Sequence, residues 1–214
     1  MNDEEENDGG IKVILVGEAG AGKTSLINTA VGEQFFEGNQ ISSTTCSLVK
    51  LSKIINDREY TINLWDTIGQ EKYRALTKVF FKYSEIVIFV FDITNKKSFD
   101  ALDYWYETIE NELGSDPIKG LAANKEDLFE DQKVKDDMIK EYARKKGIKF
   151  EYTTATSPKN FDKLLEQLLI QYINKWAKID KKKARGKKLA KKKEERIRNV
   201  VDLELCIKYN SFYI

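Results

Sequence analysis

Residues 11–24 read Ile11-Lys12-Val13-Ile14-Leu15-Val16-Gly17-Glu18-Ala19-Gly20-Ala21-Gly22-Lys23-Thr24. Ile11 to Val16 has the length and β-branched content of a buried strand, Gly17 to Gly22 is a glycine-rich turn, and Lys23 to Val31 predicts a helix. The stretch fits G-x-x-x-x-G-K-[ST] in the strand–turn–helix setting that this pattern needs. Glycines let the backbone curl so that successive N–H groups face phosphate oxygens. The helix that follows offers its positive end to the same charge. Lys23 would reach the outer phosphates, and the Thr24 hydroxyl would ligate Mg²⁺. The nucleotide-binding residues at this end are Gly17, Glu18, Ala19, Gly20, Ala21, Gly22, Lys23, Thr24 and Ser25. A glycine-rich turn that binds nothing has no need of Lys-Thr after its last glycine. The motif points to a nucleoside triphosphate and leaves the base open.

Outward from this stretch, strands and helices alternate. Cys46 to Ile55 and Glu59 to Trp65 are β-rich and separated by Asn56-Asp57, a hairpin signature. Ile86 to Asp92 is a second buried strand. Ser98 to Leu113 has apolar residues at helical spacing and is broken by Gly114 and Pro117. Ile118 to Ala123 is a weaker strand, with Lys119 and Gly120 where apolar residues would be preferred. Val134 to Lys146 predicts a helix stopped by Gly147, Ile148 to Tyr152 a short strand, and Phe161 to Trp176 a last helix. Gly32 to Thr45 lacks a period and predicts a loop. The fold class is therefore α/β: a mostly parallel six-stranded sheet with one antiparallel hairpin strand and helices on both faces. Such sheets bind ligands at the carboxyl ends of their strands.

Composition narrows the chemistry. The chain has 214 residues, 33% of them charged, with two cysteines and no histidine. The absence of histidine excludes a Ser-His-Asp triad, His-ligated zinc and any imidazole base. Cys46 and Cys206 exclude a cysteine-cluster metal site. The formal net charge of +1 is a cancellation. Residues 1–10 carry −5, residues 11–174 carry −3, residues 175–198 carry +10 and residues 199–214 carry −1. The predicted organisation is an acidic, disordered N-terminus over 1–10, a nucleotide-binding domain over 11–177, a basic helical extension over 178–198 and a short apolar tail over 199–214. The first residues lack the basic and apolar parts of a secretory leader. No apolar run approaches the ~20 residues of a membrane span.

A second motif supplies the base. Asn124-Lys125-Glu126-Asp127 follows a predicted strand. The Asp127 carboxylate can accept two parallel hydrogen bonds from guanine, from N1–H and the exocyclic amine. Adenine lacks that donor pair and would leave the carboxylate unpaired, at a cost of about 1–3 kcal/mol. Asn124 can bond the base and neighbouring loops, and the Lys125 stem can cover the ring face.

With both motifs in order, the chain resembles the small G-domain of the Ras-like GTPases, a P-loop NTPase, and the Rab branch best, over about residues 10–177. Trp65-Asp66-Thr67-Ile68-Gly69-Gln70-Glu71-Lys72-Tyr73 is similar to the family's second switch, and Phe91-Asp92-Ile93-Thr94 to its fourth-strand ending. The resemblance implies roles. Asp66 would hold Mg²⁺ through water, the Gly69 amide would bond the γ-phosphate, and Gln70 would orient the attacking water, so Gln70 and Lys23 form the catalytic set. Phe35 matches the aromatic residue edge-on to guanine. Thr154-Ala155-Thr156 matches the loop whose Ala N–H reaches the guanine carbonyl. Leu48, Trp65 and Phe80 match an effector-facing apolar triad, with Leu in place of an aromatic residue at the first position. The first-switch Mg²⁺ ligand is Ser43 by Rab spacing and Thr44 by Ras spacing; Thr44 is preferred. The metal set is then Thr24, Thr44 and Asp66.

The resemblance further implies a GTP- and GDP-binding switch that hydrolyses GTP slowly by itself and serves vesicle transport. Partners would be effectors, exchange factors and activating proteins that engage the switches. Three further features depart from the family. Ile68 replaces the usual Ala beside Gly69, Thr156 replaces a Lys in the base loop, and no terminal prenylation cysteine is present, because Cys206 lies eight residues before the last residue. These departures keep two other functions open: a GTP-binding scaffold with poor hydrolysis, and binding of anionic lipid or nucleic acid through the basic tail. Of these tail ligands, membrane is favoured over nucleic acid. The expected setting is a cytoplasmic monomer, peripheral on endomembranes without a prenyl anchor.

Overall fold

A computed structural model describes residues 10–32, 47–66 and 81–179. Phe35, Ser43, Thr44, Ile68, Gly69, Gln70, Phe80, the predicted loop from 33 on and the tail from 180 on lie outside the described residues. The chain divides into two compact units, Met1–Tyr172 and Ile173–Ile214.

In the first unit the order is β1 (Ile11–Val16), α1 (Lys23–Ala30), β2 (Ser47–Ile55), β3 (Arg58–Asp66), β4 (Ile86–Asp92), α2 (Lys96–Asp100), α3 (Leu102–Leu113), β5 (Ile118–Asn124), α4 (Asp136–Lys146) and β6 (Lys149–Thr153). A 3₁₀ helix covers Glu126–Asp131, and a final helix begins at residue 159. One six-stranded sheet has the order β2-β3-β1-β4-β5-β6. Only the β2–β3 pair is antiparallel among the described strands. Asn56 and Asp57, with φ of 50° and 60°, form its two-residue turn. Two left-handed residues match the strand twist, and Asn and Asp tolerate that conformation best after Gly.

Successive residues of a strand point to opposite faces, and the core follows that rule. Val13, Leu15, Ile88 and Val90 face one layer, with Leu26 and Ile27 of α1 and Phe161, Leu164, Leu165 and Leu168 of the last helix. Ile14, Val16, Val87, Phe89 and Phe91 face the other, with Phe99, Leu102, Trp105, Ile109 and Ile139. Every residue of β4 is buried, which explains its unbroken apolar run.

The two misfit residues of β5 have local reasons. A Cβ on Gly120 would come within 2.6 Å of Leu168 Cδ1, so the last helix lies directly against bare backbone there. Lys119 Nζ pairs with Glu110 at 2.8 Å, and its side chain is 7% exposed. A buried lysine needs such a partner.

Two helix starts differ from expectation for local reasons. The helix expected over Ser98–Leu113 starts earlier, as α2, and passes through Ala101, which keeps right-handed helical angles. The Asn95 side chain caps it by accepting from the Lys97 amide. The helix expected from Val134 starts at Asp136. Val134 instead stays outside, donating its amide to the Ile93 carbonyl at 3.2 Å. Asp136 and Asp137 then occupy the first turn and Arg144, Lys145 and Lys146 the last, each sign at the favourable helix end.

In the second unit, residues 173–179 are helical, and Trp176 is 44% exposed. No helix among the described residues is long and apolar enough to cross a membrane.

Candidate functional site: the carboxyl edge of the sheet

Parallel pairing brings the ends of five strands to one edge. Leu15 pairs with Asp66, so the turn after β1 starts beside the end of β3. Asp92 pairs with Asn124, and Asn124 with Thr153, so the ends of β4, β5 and β6 form a row.

The turn after β1 is tightly determined. Gly17 has φ 153°, and a Cβ there would sit 2.1 Å from the Val90 carbonyl oxygen. Gly22 has φ 92°, and its Cβ would meet Asn124 Nδ2 at 2.2 Å. Both positions exclude any side chain, by backbone conformation and by space. Lys23 is buried at the start of α1 and donates from Nζ to the carbonyls of Gly17 at 2.9 Å and Glu18 at 3.0 Å. Burial pushes its pKa down to about 8, against the opposing pull of the Asp66 and Glu18 carboxylates. Thr24 Oγ1 donates to Asp66 Oδ2 at 2.6 Å, and Asp66 is buried. From the side, Trp105 Nε1 of α3 donates to Glu18 Oε1 at 3.1 Å.

The Thr24–Asp66 pair has the donor chemistry that a Mg²⁺ ion needs. A hydroxyl and a buried carboxylate side by side are hard oxygen donors carrying one negative charge, which suits Mg²⁺. Among the described residues no group of three or more His, Cys, Asp or Glu side chains gathers into a metal site.

The Asn124–Asp127 segment is assembled from distant pieces. Asn124 Nδ2 donates to the Ala21 carbonyl at 2.8 Å, and Asn124 Oδ1 accepts from Thr153 Oγ1 at 3.1 Å. One buried amide thus joins the turn after β1 to the end of β6. Lys125 adopts φ 67°, and its Nζ pairs with Asp92 Oδ2 at 2.7 Å. Asp92 Oδ1 in turn accepts from the Thr94 amide and hydroxyl. Asp127 Oδ1 accepts from Thr154 Oγ1, which also accepts from the Thr156 amide at 3.0 Å. Ala155 is buried between these two threonines. Every described residue of both motifs therefore lies at this edge, and Asp127 and Thr154 are in direct contact.

Three contributors had been given no role from the motifs. Asp92 orients Lys125, Trp105 holds Glu18, and Thr153 holds Asn124. Asp92 was visible in the fourth-strand ending, but nothing in spacing pairs it with Lys125. Leu48 and Trp65 are cross-strand neighbours in β2 and β3, so two members of the apolar triad do share a face.

The model of the Ras family matches residues 12–174. The chain belongs to the Ras family of small GTPases. It is 31% identical to the Ras-related protein RABF2b of Arabidopsis thaliana over 73% of this chain and 78% of that protein. It is 36% identical to the Ras-related protein Rab-7b of Mus musculus, over 76% of this chain and 84% of the relative. With the Ras-related protein Rab-8 of Diplobatis ommata it shares 30% identity across 86% of this chain and 92% of the relative. As a Rab-like member of the family, this GTPase binds GTP and GDP with Mg²⁺ and hydrolyses GTP as a molecular switch, and the family serves vesicle traffic. Its partners are, in general terms, effectors, exchange factors and activating proteins.

Proposed function

We propose that residues 17–25 hold the phosphates of GTP, that Asn124, Lys125, Asp127 and Thr154–Thr156 hold guanine together with Phe35, and that Gly69 and Gln70 serve the reacting γ-phosphate. The observation that carries this reading is the contact of Thr154 with Asp127 at the same sheet edge where Thr24 meets Asp66. The distance along that edge is bridged by Asn124, which touches both halves.

Lys23 releases its two carbonyl partners to reach the β- and γ-phosphate oxygens, and phosphate charge restores its ordinary affinity for a proton. Thr24 and Asp66, with Thr44 or Ser43, would hold Mg²⁺, which supplies charge neutralisation at the phosphates. Gln70 orients water for in-line attack. The chemistry is positioning and electrostatics, with no imidazole required. A partner's arginine would complete the charge stabilisation.

Residues 11–177 form the G-domain, residues 1–10 an acidic lead, and residues 178–198 a basic extension ahead of an apolar tail over 199–214. The protein works as a cytoplasmic monomer. Its basic extension meets anionic membrane, at about 1 kcal/mol per basic residue near the surface.

Single-turnover phosphate release from purified protein tests the reading. Gln70→Leu should slow release by about a hundredfold, the lower end for a positioned group in proton transfer; an unchanged rate sinks the catalytic assignment and favours the scaffold. In the same preparation, Asp127→Asn should weaken GTP and shift preference toward xanthine nucleotides.

A further inference from the structure

Thr29 lies on the last turn of α1, away from the phosphate motif, and is 7% exposed. Its Oγ1 stands 2.8 Å from the Ser25 carbonyl and 2.7 Å from the Ala155 carbonyl, 126 positions away in sequence. A hydroxyl has a single hydrogen to donate. The Ser25 carbonyl lies four residues back inside α1, where the helix ladder already supplies a donor. The Ala155 carbonyl lies in a loop with no such ladder, and Ala155 is itself buried. An unsatisfied buried carbonyl is costly, so the hydrogen goes to Ala155.

We propose that Thr29 is a positioning residue for base recognition, fixing the Ala155 peptide so that the loop presents its N–H to the guanine carbonyl. This rests on the reading of Ala155 as that donor. The loop is then held at each residue: Thr154 by Asp127, Thr156 by Thr154, and Ala155 by Thr29. The tie also answers a departure noted in the sequence. With Thr156 in place of a lysine, the loop lacks one long side chain, and its anchor comes instead from the helix behind it.

The test uses the full chain loaded with GDP or with 6-thioguanosine diphosphate. The thio analogue keeps both donors facing Asp127 and replaces the carbonyl oxygen by a poorer acceptor. Thr29→Val, which keeps the shape and removes the hydroxyl, should speed GDP release about tenfold, the worth of one good hydrogen bond. Release of the thio analogue should change by no more than about twofold, and Thr29→Ser should return GDP release to within about twofold of the parent. Equal acceleration of both nucleotides, or none, overturns the role of Thr29, as does failure of Thr29→Ser to rescue. Asp127→Asn is measured alongside. If it leaves GDP release unchanged, the base assignment itself falls, and the proposal with it.

Discussion

The phosphate end and the base end of the site are built on different principles. At the phosphate end the backbone dominates. Gly17 and Gly22 sit where no Cβ fits, and Lys23 is tied to two main-chain carbonyls. At the base end side chains dominate. Thr154, Asp127 and Thr156 hold one another through hydroxyls and a carboxylate, and the Thr29 hydroxyl holds the Ala155 carbonyl. A backbone cradle admits few substitutions and leaves a fixed spacing in the sequence. A side-chain mesh can be made from many residue types, and its members come from anywhere in the chain.

That contrast can be broken most sharply at Gly17. Alanine there would force a strained conformation and a collision with the Val90 carbonyl. Roughly 4 kcal/mol of stability should be lost, the sum of a strained residue and a local overpacking. Thermal denaturation with saturating GDP measures it; a loss below ~1 kcal/mol would mean that the cradle yields. The joint between the two ends comes next. Asn124→Ala would leave the buried Ala21 carbonyl and the Thr153 hydroxyl without this partner, costing about 3 kcal/mol. Because both ends are touched, release of GDP and of free pyrophosphate should both quicken. An effect on one ligand alone would show the ends to be independent. The smallest change is expected in the mesh. Thr154→Val removes bonds in a more accessible loop and should cost about 1 kcal/mol, read as faster GDP release with the melting temperature nearly unmoved. A fall as large as that for Gly17→Ala would erase the distinction.

The same contrast explains what could be read without coordinates. The strand, turn and helix from Ile11 to Val31 were legible because burial and glycine geometry act within a few residues of each other. The sheet followed from alternation, and its hairpin from Asn56-Asp57, whose left-handed angles the structure bears out. Helix starts were less legible. Val134 is apolar and fits a helical spacing, yet its amide is committed to Ile93 on another element. Gly120 and Lys119 weakened the reading of β5, because their partners, Leu168 and Glu110, lie in helices that no local rule associates with them. At the site, Asn124 and Asp127 were found by motif, whereas Asp92, Thr153, Trp105 and Thr29 act through contacts 29 to 126 positions apart or depend on side-chain direction.

Gly120 and Leu168 have a consequence for how this sequence can change over time. The missing side chain on the strand is the space that the leucine occupies, so the two positions share one volume. A methyl group gained at 120 has to be matched by atoms surrendered at 168, and the order matters. Trimming Leu168 first leaves a small void that the fold can carry, while enlarging Gly120 first sets its methyl against the Leu168 side chain, which has to give way. Descendants of this chain would therefore inherit the two residues as a linked pair, with one of the two mutational routes costlier than the other.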